Sequence, residues 1–135
     1  MNRESFQNSG TSENNLPAIS PSEFQALVEM VGADMPDVLV DLLDTYLEES
    51  AGLVGAISDG QREGDLQSMM RPAHSLKSSS ASIGAIRLSK LCTDLESYIR
   101  GSLPVLDVPQ QVQRIESEFA RVQTELLEEK TKFGT

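Results

Sequence analysis

Hydrophobic residues recur at intervals of three and four along most of the chain, which is the spacing of one face of an α-helix. Asp107 precedes the clearest series and is a favourable N-cap residue, so a helix is predicted to begin there. The inward apolar residues of this last helix are Val108, Val112, Ile115, Phe119, Val122 and Leu126. No segment shows the alternation of apolar and polar residues that is typical of a half-buried β-strand.

Two helices are predicted near the N-terminus. The first begins at Ser20, where Ser20 and Glu23 form a capping-box pattern, and it ends at Gly32. The second begins at Pro36 and ends around Gly60, because glycine is common where helices stop. The apolar residues expected on their inner faces are Phe24, Leu27, Val28, Val31, Leu39, Leu43, Tyr46, Leu47, Val54 and Ile57.

A third and a fourth helix are predicted on either side of Gly84. The third begins at Asp65, a good N-cap residue, and the fourth runs from about Ala85 to Arg100. Their inward stripes are Leu66, Met69, Ala73, Leu76, Ser80 and Ile83 in the third helix, and Leu88, Leu91, Cys92, Leu95 and Tyr98 in the fourth. Residues 101–106 are expected to form a loop that contains a proline.

These helices predict an all-α fold. The expected architecture is an up-and-down antiparallel four-helix bundle over residues 20–132, with a short additional helix at its N-terminal end. Residues 1–19 are rich in Asn, Ser, Glu and Gln and have no periodicity, so a disordered N-terminal tail is expected there. Because the bundle uses its apolar faces internally, the chain is expected to be a monomer.

Composition narrows the range of functions. The chain has 135 residues and a formal net charge of −10, so nucleic acid and anionic membranes are not expected as partners. It has one histidine and one cysteine, and no metal site or cofactor is expected from that inventory. No apolar run approaches the roughly 20 residues of a membrane span, and a cytoplasmic location is expected.

The single histidine, His74, is the main candidate for chemistry. It lies one residue off the inward stripe of the third helix, so its ring is expected to reach solvent, and Lys77 lies one turn further along the same face. An imidazole keeps an unprotonated nitrogen near neutral pH and can attack phosphorus, while a nearby cation neutralises the phosphoryl oxygens. His74 is therefore the candidate phosphoacceptor and Lys77 the candidate phosphoryl-stabilising residue. No nucleotide-binding loop accompanies them, so the chain is not expected to be a kinase.

The chain closely resembles the histidine-containing phosphotransfer (HPt) domain of two-component phosphorelays in a set of motif residues: Ala73-His74-x-Leu76-Lys77, Ile83-Gly84-Ala85, Leu88, Leu91-Cys92 and Leu95-Glu96. The resemblance covers about residues 20–130. It implies that Nε2 of His74 accepts a phosphoryl group and passes it on. It also implies that the partners are response-regulator receiver domains and a sensor (hybrid) histidine kinase.

Ser78 departs from the family pattern, which usually has glycine directly after the lysine. Serine is the next smallest choice, and its hydroxyl is able to bond back to a carbonyl one turn earlier. We expect phosphotransfer to be kept, with altered rates or partner choice. The predicted docking surface around the histidine consists of Met70, Arg71, Ser78, Ser79, Ala81 and Ser82.

Glu96 and Arg100 are candidate contacts from the fourth helix. If the third and fourth helices are antiparallel and turn near Gly84, His74 lies level with about residue 94 and Glu96 lies within one turn of it. A carboxylate there would fix the tautomer of the ring. An ordinary exposed glutamate is an equally good interpretation of Glu96. Arg100 lies one turn further on and reaches phosphoryl oxygens only if its side chain folds back.

An alternative function is a helical adaptor that binds receiver domains without being phosphorylated. Such an adaptor is expected to have lost the histidine or the lysine of the motif. Both His74 and Lys77 are present, so the sequence favours a phosphoryl carrier.

Overall fold

The computed structural model describes residues 16–32 and 34–134, which form five α-helices and no β-strand. The helices are α1 (Pro21–Val31), α2 (Pro36–Glu63), α3 (Leu66–Ser82), α4 (Ile86–Arg100) and α5 (Val108–Gly134). Each of α2, α3 and α4 packs against the helix that follows it, α5 returns to α2, and α1 packs on α2. This arrangement confirms the predicted all-α bundle with a short additional N-terminal helix. None of the helices in the described ranges combines the length and apolar character of a membrane span.

One aliphatic core lies between α2, α3, α4 and α5. Its central side chains are at most 2% exposed, and each such burial contributes roughly 1.5–3 kcal/mol to stability. These central residues are Leu39, Leu43, Ile57, Met69, Leu76, Leu88, Leu95, Ile115, Val122 and Leu126. All of them belong to the predicted inward stripes, so the helical spacing alone identifies the residues that hold the bundle together.

A few residues of the predicted stripes are not in the core. Leu66 is 37% exposed because it is the first residue of α3, where the helix has just begun. Tyr98 is only half-buried, and Ile99, four residues after Leu95, packs against the core instead. The apolar stripe of α4 therefore ends with a step of four residues rather than three. Leu47, Val31 and Val108 are partly buried at the margin of the core.

The second helix is longer than predicted and ends at Glu63 rather than around Gly60. Gly60 lies inside the helix, and a Cβ placed on it would lie 2.5 Å from Cγ of Met69 and 2.7 Å from Oγ of Ser68. Glycine is therefore required at this position by the close approach of α3. Gly64 ends the helix, in a left-handed conformation with φ of 70° that glycine adopts readily.

The predicted disordered tail, residues 1–19, includes two residues that pack on the bundle. Ala18 and Ile19 are buried, and their backbone N–H groups donate to the two carboxylate oxygens of Glu125 on α5, each over 2.8 Å. Two apolar residues are too few to show a periodicity, so the hydrophobic pattern does not predict that Ala18 and Ile19 attach to α5. The rest of the predicted tail, residues 1–15, lies outside the described residues.

The predicted capping box at Ser20 and Glu23 does not form. The Ser20 hydroxyl donates to Oε1 of Glu23 over 2.9 Å, and the Ser20 N–H donates to the Gly84 carbonyl over 2.8 Å. The start of α1 is therefore bonded to the turn between α3 and α4. The other two predicted caps form, because Asp65 accepts from the N–H of Ser68 and Asp107 accepts from that of Gln110.

Candidate functional site

His74 stands near the middle of α3, and its side chain is 54% exposed. Ala73 and Leu76, on either side of it, are fully buried, which directs the ring away from the core. A hydroxyl of α4 fixes the two helices beside each other, since Ser89 donates to the carbonyl of Lys77 over 2.9 Å. Sequence reasoning missed Ser89, because one serine in a helical stripe has no distinctive spacing.

Glu96 on α4 binds three polar side chains at once. Its Oε2 lies 2.9 Å from Nδ1 of His74, and its Oε1 accepts from Nζ of Lys77 over 2.8 Å. Nε and Nη2 of Arg100 also reach Oε2, over 3.0 Å and 2.8 Å. The Glu96 side chain is only 6% exposed, so one buried carboxylate organises the whole cluster.

The surroundings of Glu96 keep it ionised. The hydrogen bond from Lys77 holds the pKa of Glu96 well below its usual value, at about 2. Burial acts in the opposite direction, and the hydrogen bonds from Arg100 and His74 add to the lowering. A carboxylate that is charged at neutral pH and faces Nδ1 favours the tautomer with the proton on Nδ1, so the lone pair is on Nε2.

The low pKa of Glu96 predicts a pH dependence of stability. The pKa is about 2 in the folded chain and 4.5 in its reference state, so the stabilisation is present above pH 4.5 and disappears as the pH falls through 2. Between pH 6 and pH 2 the free energy of unfolding of the wild type is expected to fall by about 2–3 kcal/mol more than that of Glu96→Gln. Urea unfolding of both proteins across this pH range measures the difference, and parallel curves would contradict it.

Lys77 and Arg100, the two cations considered from the sequence as contacts for phosphoryl oxygens, both form ion pairs with Glu96. The Arg100 side chain folds back by one turn to reach the carboxylate, so it lies in the same cluster as His74 and Lys77. The interpretation of Glu96 as an ordinary exposed glutamate is wrong, because the residue is buried. With a neutral histidine ring, two cations and one carboxylate give the cluster a net charge of +1.

Four of the six residues of the predicted docking surface have small side chains. Arg71, Ser78, Ala81 and Ser82 are exposed, whereas Met70 and Ser79 are half-buried. The hydroxyl of Ser78 donates to the His74 carbonyl over 3.4 Å, and those of Ser79 and Ser82 donate to carbonyls one turn earlier over 3.1 Å. These hydroxyls are therefore satisfied within the helix.

Two further observations, on the cysteine and on metal binding, complete the description of the site. Cys92, one turn before Glu96, is fully buried, and burial raises its pKa to about 12, so it is an unreactive core thiol. No group of three or more histidine, cysteine or carboxylate side chains is placed to hold a metal ion in the part of the chain that the structure describes.

Two comparisons with known proteins point to the same family. The family model of the Hpt domain matches residues 41–125, a range that contains His74, Lys77, Glu96 and Arg100. The chain is also similar to the crystal structure of histidine-containing phosphotransfer protein B (HptB) from Pseudomonas aeruginosa PAO1. That match has a TM-score of 0.76 and 27% sequence identity, and it covers 88% of this chain and 99% of HptB. No curated protein gives a significant match.

Proposed function

The chain belongs to the Hpt domain family, and we propose that it is a phosphorelay carrier that accepts a phosphoryl group on His74 and exchanges it with aspartates of response-regulator receiver domains. The observation that carries the proposal is the half-exposed ring of the only histidine, with Nδ1 at 2.9 Å from a buried carboxylate. Nε2 makes no hydrogen bond to the described residues and is the nitrogen that a partner reaches.

The transfer needs no separate base. With its proton on Nδ1, the ring attacks the phosphorus of a receiver acyl phosphate through the lone pair of Nε2. The Nε2–P bond forms as the bond from phosphorus to the aspartate oxygen breaks, and the aspartate leaves as a carboxylate. The ring becomes a phosphorylated imidazolium whose Nδ1–H continues to face Glu96.

Lys77 and Arg100 supply positive charge for the phosphoryl group. Both cations already lie in the cluster around the ring, and their side chains are 30% and 54% exposed. They therefore have room to turn from Glu96 towards the oxygens of an incoming phosphoryl group. Positive charge at these oxygens lowers the barrier to phosphoryl transfer.

The proposed partners are receiver domains and a sensor (hybrid) histidine kinase, which dock on the surface formed by Met70, Arg71, Ser78, Ser79, Ala81 and Ser82. Four residues of this surface, Ser78, Ser79, Ala81 and Ser82, have small side chains, which allow the aspartate of a receiver to approach Nε2 closely. We expect the carrier to act as a monomer and to need no cofactor of its own.

A panel of phosphorylated receivers tests the proposal. Incubation with a matching receiver is expected to transfer the label to this chain. The label should be acid-labile and, in the denatured protein, stable in alkali. Stable binding of receivers with no transfer of label would instead favour the alternative function, a helical adaptor that is not phosphorylated.

Ser78→Gly tests the departure from the family pattern. Removal of an exposed side chain beside the ring is expected to leave transfer equally fast or to make it faster. The melting temperature should fall, because glycine in a helix costs up to about 1 kcal/mol. Transfer rates and thermal unfolding measure the two effects. Slower transfer by a folded variant would show that the hydroxyl has a positive role.

A further inference from the structure

A groove runs between α4 and α5, where neighbouring helices of the four-helix bundle are least closely packed. The space between these two helices is about 1080 Å³. A space of this size is at the upper end of the range for ligand-binding pockets. The α5 wall extends from Gln110 to Arg121, about 16 Å along the helix axis, which is the length of about five residues of an extended peptide.

The groove and the cluster around His74 lie on opposite sides of α4. Arg87, Lys90 and Asp94 line the groove and follow one another at steps of three and four residues, so they share one face of the helix. Glu96 lies two residues after Asp94, about 200° around the helix, and its carboxylate faces His74. An occupant of the groove therefore leaves the histidine ring accessible.

Positive charge is concentrated in the groove of an otherwise acidic chain. The chain has a formal net charge of −10, yet four of its 11 lysines and arginines line this groove. Three carboxylates accompany the four cations, so the lining carries a net charge of +1. The cations are Arg87, Lys90, Arg114 and Arg121, and the carboxylates are Asp94, Glu116 and Glu118.

Glu118 joins the two walls of the groove. Its side chain is 4% exposed, and its Oε1 lies 2.8 Å from Nη1 of Arg121 on α5 and 3.5 Å from Nε of Arg87 on α4. One buried carboxylate thus binds a guanidinium from each helix and compensates one of the two positive charges. These contacts hold the walls together and leave the exposed rim to the two other cations.

Arg114 provides positive charge that no neighbour neutralises. It is exposed, and it forms no ion pair or hydrogen bond with the residues that the structure describes. Nε2 of Gln111 donates to the Leu91 carbonyl over 2.9 Å, which fixes the register of the two helices. In this register Lys90 of α4 lies within about one turn of Arg114. Lys90 is 75% exposed, and its ion pair with Asp94 over 3.8 Å contributes little, because both groups are accessible to water.

We propose that the groove binds an acidic, extended segment of a partner protein while the face that carries His74 remains free for a receiver. Carboxylates of such a segment pair with Lys90 and Arg114, and the exposed amides of Gln110 and Gln113 provide hydrogen bonds for its backbone. The segment is short, because a long polyanion is repelled by the acidic remainder of the chain. The inference goes beyond the proposed function, since binding at the groove does not depend on phosphorylation.

The test is a titration of the full chain, at low salt, with a short synthetic peptide in which aspartate and serine alternate. Amide ¹H–¹⁵N signals of residues along the groove should shift, and the shifts give the Kd. The groove variant, Lys90→Ala with Arg114→Ala, should bind about tenfold more weakly. The control variant, Arg62→Ala with Lys132→Ala, removes two exposed cations that lie outside the groove and should bind like the wild type.

Three results of the titration would overturn the inference: no shifts in the wild type, equal Kd values for the wild type and the groove variant, or equal weakening in both variants. A second measurement follows phosphoryl transfer from a receiver with saturating peptide present, and the rate should be unchanged. Slower transfer would place the peptide on the face of His74 and would also overturn the inference. Absence of transfer from receivers without any peptide would contradict the proposed function alone.

Two other occupants of the groove are distinguished without added peptide. A wild-type dimer in sedimentation equilibrium that dissociates in the groove variant would assign the groove to a second copy of the chain. Changes in the amide signals of residues 1–15 in the groove variant would assign it to the N-terminal segment of the same chain. Either result would overturn the inference, whereas a monomeric wild type with unchanged signals from these residues supports it.

Discussion

His74→Gln is expected to abolish phosphoryl labelling completely while the bundle remains folded. Glutamine has no nucleophilic ring nitrogen, and the chain contains no second histidine to replace it. The side chain at this position is half-exposed, and a glutamine amide is able to donate to Glu96, so little stability should be lost. The measurement is transfer of a radiolabelled phosphoryl group from a receiver, with helical content and melting temperature recorded for the same sample.

Receiver binding is the control for the loss of labelling, because it reports whether the docking surface is intact. His74→Gln should still bind the receiver, because Ser78, Ala81 and Ser82 are unchanged. Acid-labile label that persists in the variant would refute the assignment of His74 as the phosphoacceptor.

Lys77→Ala is expected to slow phosphoryl transfer by about 10- to 100-fold, which corresponds to about 1–3 kcal/mol of transition-state stabilisation. The substitution removes a cation and also removes the one hydrogen-bond donor that Oε1 of Glu96 has among the described residues. Two unfavourable changes therefore act together on a phosphoryl group that carries negative charge. Single-turnover transfer from a phosphorylated receiver measures the effect.

Lys77→Arg should restore only part of the rate, because a planar guanidinium presents its donors differently from an ammonium group. Lys132→Ala is the matched control, since Lys132 is an exposed lysine near the end of α5 that pairs with Glu129. Wild-type rates in Lys77→Ala would place Lys77 among the ordinary surface lysines.

Periodicity predicted the helices and the core well, because burial of one helical face repeats along the chain. It could not distinguish the glycines at the end of α2. Gly60 and Gly64 look alike in sequence, but one is required by the close approach of Met69 and only the other has a positive φ. Similarly, the anchoring of Ala18 and Ile19 depends on Glu125, which is more than 100 residues away. Contacts of this kind leave no local pattern.

The candidate site could also be predicted only in part. His74 and Lys77 could be paired from their spacing on one helix, and an antiparallel turn near Gly84 placed Glu96 beside the ring. The burial of Glu96 could not be predicted, because a glutamate is rarely buried unless other side chains neutralise it. Lys77 and Arg100 provide that neutralisation, and the second of these contacts requires the Arg100 side chain to fold back along α4.

Exchange between two receivers tests the carrier function most directly. A radiolabelled phosphorylated receiver is mixed with this chain, then removed, and a second, unlabelled receiver is added. We expect acid-labile label to appear first on His74 and then on the aspartate of the second receiver, with no transfer when His74→Gln replaces the wild type. Binding of both receivers without any label passing through the wild-type chain would contradict the proposed function.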